Sequence, residues 1–356
     1  VFLINVNFSG GNMNSGCYTA MVTPFDGVAV DESGLTRLAD FQIQNGVTGI
    51  LAVGTTGESP TLAWEEHHRV VQILSRHAKG KCLCIAGAGS NNTKEALSAV
   101  RHAVEAGVDA VLLVDPYYNG PSSMEIRKEY LTPVAKAFPD LSIIPYVIPG
   151  RTGAQLLPED LALIFKEHPN VNSVKEATGN IENMRRTRQC CGPEFNIFSG
   201  DDGMTVEMMT DPDITAAGVI SVISNIVPRA MSDLVRFLAN KETDQAKTLA
   251  DALAPLFGLV TVKTMEKSPY GEVMCRARNP LALKTLMQLL GMPSGPCRPP
   301  MGKMSRAGLD MVVKIARIVQ SKNPELFAPL ATFFNVDIDA RLNDKRLMEE
   351  FAYPGY

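Results

Sequence analysis

Short apolar, β-branched runs alternate along this chain with longer amphipathic stretches. The runs occupy residues 17–22, 49–53, 82–86, 110–114, 143–146, 172–175, 196–199 and 218–222. Between them, helix-like segments mark residues 35–44, 64–78, 94–105, 124–138, 158–166 and 181–189. Strand and helix thus repeat at intervals of roughly 22 to 34 residues, which predicts successive βα units. An open doubly wound sheet gives a similar alternation, but eight regular units over about 210 residues fit a closed (β/α)8 TIM barrel better. After Pro228 the pattern turns wholly helical, with segments at 229–239, 244–257, 281–290 and 305–320, interrupted by a Met- and charge-rich stretch at 262–278. The expected organisation is an N-terminal extension (1–15), the barrel (16–228), a C-terminal helical appendage (229–320) and a tail (321–356). Two readings of the tail stand side by side, an arm clasping a partner and a plain surface segment.

Composition narrows the class. A chain of 356 residues, 45% hydrophobic and 20% charged, can bury a substantial core. A formal net charge of −4 gives no global basic field, so neither nucleic acid nor an anionic membrane is expected as a primary partner. No window approaches the ~20 apolar residues of a spanning helix. The opening residues 1–11 lack the basic n-region of a signal peptide, and Met13 fits a native start with the residues before it an upstream addition. The seven cysteines include the adjacent Cys190 and Cys191 and the alternating Cys82 and Cys84, none at zinc-site spacing. Cys82 and Cys84 read as small core residues, and a reduced cytoplasm is the simplest compartment. The five histidines form no ligand pair on a helix face, so no metal site is expected and they read as surface residues.

In a βα barrel, chemistry gathers at the carboxyl ends of the strands. Here those ends carry Gly54-Thr55-Thr56-Gly57-Glu58, Gly87-Ala88-Gly89, Pro116-Tyr117-Tyr118-Asn119, Tyr146, Lys175, Gly200-Asp201-Asp202 and Ile220-Ser221. A lysine held at an apolar barrel mouth is desolvated, which disfavours its ammonium and brings its pKa from about 10.4 toward roughly 7 to 8. The neutral amine can then attack a keto group. Taken alone, Lys175 would more often pair with a carboxylate such as Glu176. Its surroundings reverse that expectation.

Laid out in order, these strand ends resemble the dihydrodipicolinate synthase and N-acetylneuraminate lyase family of class I aldolases, over residues 16–320. The resemblance is carried by the Gly54–Glu58 and Tyr117-Tyr118-Asn119-Gly120-Pro121 blocks, and by Tyr146 followed by Pro149-Gly150-Arg151-Thr152-Gly153. Val174-Lys175-Glu176-Ala177-Thr178-Gly179, Ser199-Gly200-Asp201-Asp202 and Gly218-Val219-Ile220-Ser221-Val222 complete it. It implies that Lys175 forms a Schiff base with pyruvate, that Tyr146 shuttles protons, and that Thr55 relays them to Tyr118 of a neighbouring subunit. It further implies that Thr56 and the amides near Gly57 hold the pyruvate carboxylate, with Gly200 and Ile220 as further substrate contacts. Arg151 would receive the carboxylate of L-aspartate 4-semialdehyde, which sides with the synthase branch and the diaminopimelate route to lysine. The Schiff base serves as electron sink, so no other cofactor is implied. A dimer is required by the shared tyrosine, and a tetramer of two dimers is the family pattern.

The resemblance also aligns Ser59, Pro60, Leu62, Trp64, His67, Asn91, Glu95 and Tyr117 with a lysine-inhibitor site, where Glu95 would pair the effector's ammonium and Trp64 its aliphatic stem. Departures are Val147, where the synthases carry asparagine, the 262–278 stretch, and the tail. Val147 leaves room for a second reading, a paralogous pyruvate aldolase taking another aldehyde. A third, a non-catalytic barrel scaffold, requires Lys175 to be a structural ion pair.

Overall fold

The computed structural model describes residues 13–355, so the expected extension at 1–15 lies mostly outside the described residues. Each apolar run becomes a barrel strand: β1 (Gly16–Ala20), β2 (Gly49–Ala52), β3 (Leu83–Gly87), β4 (Ala110–Val114), β5 (Ser142–Val147), β6 (Ser173–Glu176), β7 (Asn196–Ser199) and β8 (Gly218–Ser221). Strands buried on both faces favour near-continuous apolar runs over alternation, as β2 to β5 show, while β6 and β7 bury polar residues as well. All are parallel, and β1 closes the barrel by pairing with both β8 and β2. Closure is tight at its seam. A Cβ on Gly218, whose φ is +150°, would sit 1.9 Å from the Gly16 carbonyl oxygen, so only glycine fits.

Alternate residues of the strands separate into two layers. Tyr18, Leu51, Ile85, Leu112, Ile144, Phe198 and Ile220 fill the barrel interior. Their strand neighbours, such as Ile50, Val111, Ile143 and Val219, face a sleeve of helices. Met13 belongs to the interior cluster, and its carbonyl accepts a hydrogen bond from Asn196 Nδ2 at 3.1 Å. The amino-terminal end is thereby plugged, which leaves the carboxyl end for chemistry.

The sleeve comprises α1 (Glu32–Gln44), α2 (Trp64–Ala78), α3 (Thr93–Ala106), α4 (Thr132–Ala137), α5 (Pro158–Glu167), α6 (Ile181–Cys191), α7 (Thr205–Thr210) and α8 (Pro228–Ala239). The expected helix at 124–138 includes a π-helical stretch, Ile126–Leu131, before α4. The short α7 has no counterpart in the sequence reading.

The appendage is not wholly helical. Between α9 (Thr243–Phe257) and α10 (Leu281–Leu289) runs an antiparallel hairpin, β9 (Thr261–Ser268) and β10 (Gly271–Arg278), turning at Pro269 and Tyr270. Its residues alternate between faces, a strand period that the Met-rich composition disguised. The last long helix, α11 (Arg306–Lys322), packs on α9, α10 and the hairpin.

The tail folds back on its own chain through α12 (Ala328–Phe334), α13 (Ile338–Asn343) and α14 (Lys345–Glu349). Phe333 and Phe334 pack on Phe41 of α1 at ring distances of 5.3 and 5.2 Å. Arg341 Nε and Nη2 each donate at 2.7 Å to the carbonyls of Leu289 and Gln288, capping the carboxyl end of α10. No helix among the described residues is long and apolar enough to cross a membrane.

Candidate active site

Neighbouring strands β5 and β6 place Tyr146 directly opposite Lys175. The amine lies over the phenol, Nζ 4.4 Å from the ring centroid. Lys175 is only 4% exposed, and burial at the barrel mouth brings its pKa down to about 7, with buried Asp202 pulling it up and Arg151 pushing it further down. Glu176 does not neutralise it. Adjacent strand residues face opposite ways, and the Glu176 carboxylate instead accepts from the Thr178 N–H at 2.7 Å and from Asn183 Nδ2 at 2.9 Å. Gly200 on the next strand end gives the lysine its room, since a Cβ there would stand 3.2 Å from Lys175 Cε and 2.8 Å from Ala177 Cβ.

Burial raises the Tyr146 phenol to about 12, opposed by the nearby Arg151 and by a hydrogen bond with Thr55. The phenol is therefore protonated at neutral pH and poised to donate. Tyr146→Phe is expected to keep the fold and lower kcat by about 10²- to 10⁴-fold, the usual worth of a positioned acid–base group. Steady-state turnover reads this, and a kcat within twofold of the parent would remove Tyr146 from proton transfer.

Thr55 and Thr56 sit in a turn bounded by two non-glycine residues in left-handed conformation, Val53 (φ 48°) and Glu58 (φ 56°). A β-branched residue there is strained and persists only where the surroundings dictate it. Three contacts do so. Thr23 Oγ1 donates to the Gly57 carbonyl at 2.7 Å, Asn279 Nδ2 donates to Thr56 Oγ1 at 2.9 Å, and the fully buried Lys284 donates to Glu58 Oε1 at 2.7 Å.

One cavity collects Thr55, Thr56, Tyr146, Arg151, Lys175 and Gly200 from the expected set. Two expected members fall elsewhere. Ile220 is fully buried in the interior cluster, and Val222, two residues on, takes the wall. Tyr118 is 87% exposed and faces away from Lys175 within its own chain. Val147 belongs to the layer between strands and helices, so its departure from the family pattern does not reshape the cavity.

Of the expected effector residues, Ser59, Pro60 and Tyr117 line an adjoining cavity that shares Thr55, Tyr146 and Arg151 with the first. Leu62, Trp64, His67, Asn91 and Glu95 are not among its lining residues. Asn91 Oδ1 accepts from the Tyr117 N–H at 2.6 Å, and Glu95 Oε2 accepts from Ser90 Oγ at 2.5 Å. Trp64 packs edge-on against His67 at 5.1 Å. His67 is not a surface residue: it is 4% exposed on the inner face of α2, and burial lowers its pKa to about 4.

The sequence reading missed Arg276, Arg278 and Asn279 on the cavity wall, and buried Asp202 beside Lys175. Asp202 accepts from Ser221 Oγ and from the N–H groups of Val222 and Ile223 at 2.9 and 3.1 Å. The Gly200-Asp201-Asp202 strand end was the available signal for it. Among the described residues no three His, Cys, Asp or Glu side chains are grouped to hold a metal.

Comparison with known proteins points the same way as this geometry. A 4-hydroxy-tetrahydrodipicolinate synthase from Trichlorobacter lovleyi is 40% identical over 310 residues, 86% of this chain and 100% of that one. A chloride-inhibited dihydrodipicolinate synthase from Acinetobacter baumannii, solved in complex with pyruvate, superposes with a TM-score of 0.77 at 31% identity, covering 86% of this chain and 99% of that one. The DHDPS from Cyanidioschyzon merolae with lysine bound gives a TM-score of 0.77 at 32% identity, covering 86% and 98%. The family model for the dihydrodipicolinate synthetase family matches residues 13–319, and with the barrel and its buried strand-end lysine in view, the chain belongs to that family.

Proposed function

We propose that this protein condenses pyruvate with L-aspartate 4-semialdehyde, as a 4-hydroxy-tetrahydrodipicolinate synthase on the diaminopimelate route to lysine. The observation that carries the reading is Lys175, a buried amine of lowered pKa held over Tyr146. With a pKa of about 7, about half of it is a free nucleophile at neutral pH.

The amine attacks C2 of pyruvate, and the amine proton moves to the carbonyl oxygen. Protonation by Tyr146 lets that oxygen leave as water, giving the Schiff base. The phenolate so left on Tyr146 takes a methyl proton, and the resulting enamine forms a carbon–carbon bond to the aldehyde carbon, whose oxygen receives that proton back from Tyr146. Attack by the acceptor's own amine on C2 displaces Lys175 and closes the ring. Through the steps, Thr56 and the turn amides hold the pyruvate carboxylate, Gly200 gives the pyruvyl group its space, and Arg151 receives the acceptor's carboxylate. No metal or further cofactor takes part.

Tyr118, so exposed in one protomer, completes the Thr55 and Tyr146 relay of a second copy, so the working unit is at least a dimer and in the family pattern a tetramer. L-Lysine inhibits by binding near Tyr117, Glu95 and Trp64. The enzyme works in the cytoplasm.

The test is intact mass and peptide mapping after borohydride reduction with pyruvate, followed by assay with the semialdehyde. A reduced pyruvyl adduct on Lys175 with turnover is expected. An adduct without turnover transfers the acceptor role to another aldehyde, and the absence of any adduct overturns the Schiff-base mechanism. Activity unchanged at saturating L-lysine removes the inhibitor site.

A further inference from the structure

The hairpin β9–β10 presents a cationic face to the reaction cavity. Its register pairs Thr261 with Arg278 and Lys263 with Arg276, so these four share one side of the ribbon. Thr261, Arg276 and Arg278 line the cavity beside Arg151 and Lys175. The two segments are latched together. Arg278 Nη2 donates to the Gly150 carbonyl at 2.9 Å, and Arg151 Nη2 donates back to the Asn279 carbonyl at 3.3 Å.

Among the described residues, no carboxylate forms an ion pair with Arg151, Arg276 or Arg278, although seven other arginines are so paired. Arg151 loses proton affinity through burial and through the like charges of Arg278 and Arg276. Asp201 is the acidic side chain on this wall, and its Oδ1 is already engaged by the Gly203 N–H at 2.9 Å. Three guanidinium groups thus line the cavity with none of them ion-paired to a carboxylate, an arrangement that an incoming carboxylate relieves.

We propose that Arg276 and Arg278 join Arg151 in binding the carboxylate end of the acceptor aldehyde, so that the hairpin sets acceptor specificity. The proposal rests on the Schiff-base reading above. Arg276→Gln and Arg278→Gln are each expected to raise KM for aspartate semialdehyde by about tenfold, the worth of one charge-assisted hydrogen bond. The parent's KM should itself rise with added salt, and less so in the variants. Arg276→Lys and Arg278→Lys should recover part of the loss, since charge returns without the fork.

Pyruvate adduct formation on Lys175, trapped with borohydride, should match the parent in every variant and serves as the check on folding. Variants that keep the parental KM while the parent traps pyruvate and turns over overturn the assignment of the hairpin alone. A parent that traps no pyruvate overturns both the hairpin's role and the reading beneath it.

Discussion

Lys175→Arg and Lys175→Met are expected to abolish the trapped pyruvate adduct and to lower turnover by roughly 10⁴-fold or more, as loss of a covalent nucleophile does. Arginine keeps charge and length but stays protonated, so it offers no lone pair to the keto carbon. The pH dependence of trapping gives a sharper result. Because the folded amine has a pKa lowered from 10.5 to about 7, it is an ammonium below that value and free above it. The trapping rate should fall about tenfold per pH unit below the inflection and level off above it. A rate that goes on climbing toward 10.5 would show an ordinary lysine and remove desolvation as the source of its reactivity.

Lys284→Met should destabilise the fold by about 3–5 kcal/mol, the cost of leaving a buried charge without its partner. Lys284 and Glu58 are 1% and 0% exposed, and the ammonium also donates to the Thr23 and Pro296 carbonyls at 3.0 and 3.3 Å. All three of its protons are therefore committed. Glu58 takes a further bond from the Arg298 N–H at 2.8 Å, so its carboxylate remains fixed and uncompensated in the variant. Urea midpoints read the loss, and the double variant Glu58→Gln, Lys284→Met should recover part of it as a coupling in the mutant cycle. Since Glu58 ends the strained Thr55–Thr56 turn, KM for pyruvate should rise alongside. A loss below about 1 kcal/mol would mean that the pair contributes little beyond what a surface bridge would.

The barrel was legible because its strands recur at regular spacing between amphipathic helices, so the reading located every one within a residue or two, even β6 and β7, whose residues Ser173-Val174-Lys175-Glu176 and Asn196-Ile197-Phe198-Ser199 are half polar. The hairpin was as plainly encoded, with Val262, Thr264 and Glu266 on one side and Lys263, Met265 and Lys267 on the other. It went unread because methionine and lysine suit helices and the flanking segments are helical. Lys175 and Tyr146 could be placed at strand ends from the sequence, but only the family resemblance read them as a working pair. Arg278 could not: it meets Gly150 across 128 residues of chain, a contact fixed by packing rather than local pattern. His67 was misjudged although it stands three, four and seven residues before the buried Val70, Val71 and Leu74, a spacing that puts it on the inward face of α2. Ile220 packs in the barrel interior while Val222, two residues on, lines the cavity, a distinction that strand position alone does not make.

The last stretch of the chain is mechanically in series with the substrate turn. Arg341 closes off the carbonyls at one end of α10, the middle of that helix carries Lys284, and Lys284 grips Glu58. A helix whose final carbonyls lose their donors frays from that end. Clipping the tail is therefore expected to loosen the Thr55–Thr56 turn, read as a higher KM for pyruvate in steady-state assays if the proposed function holds. From Arg341 to Glu58 the terminus and the turn are thus held by one helix.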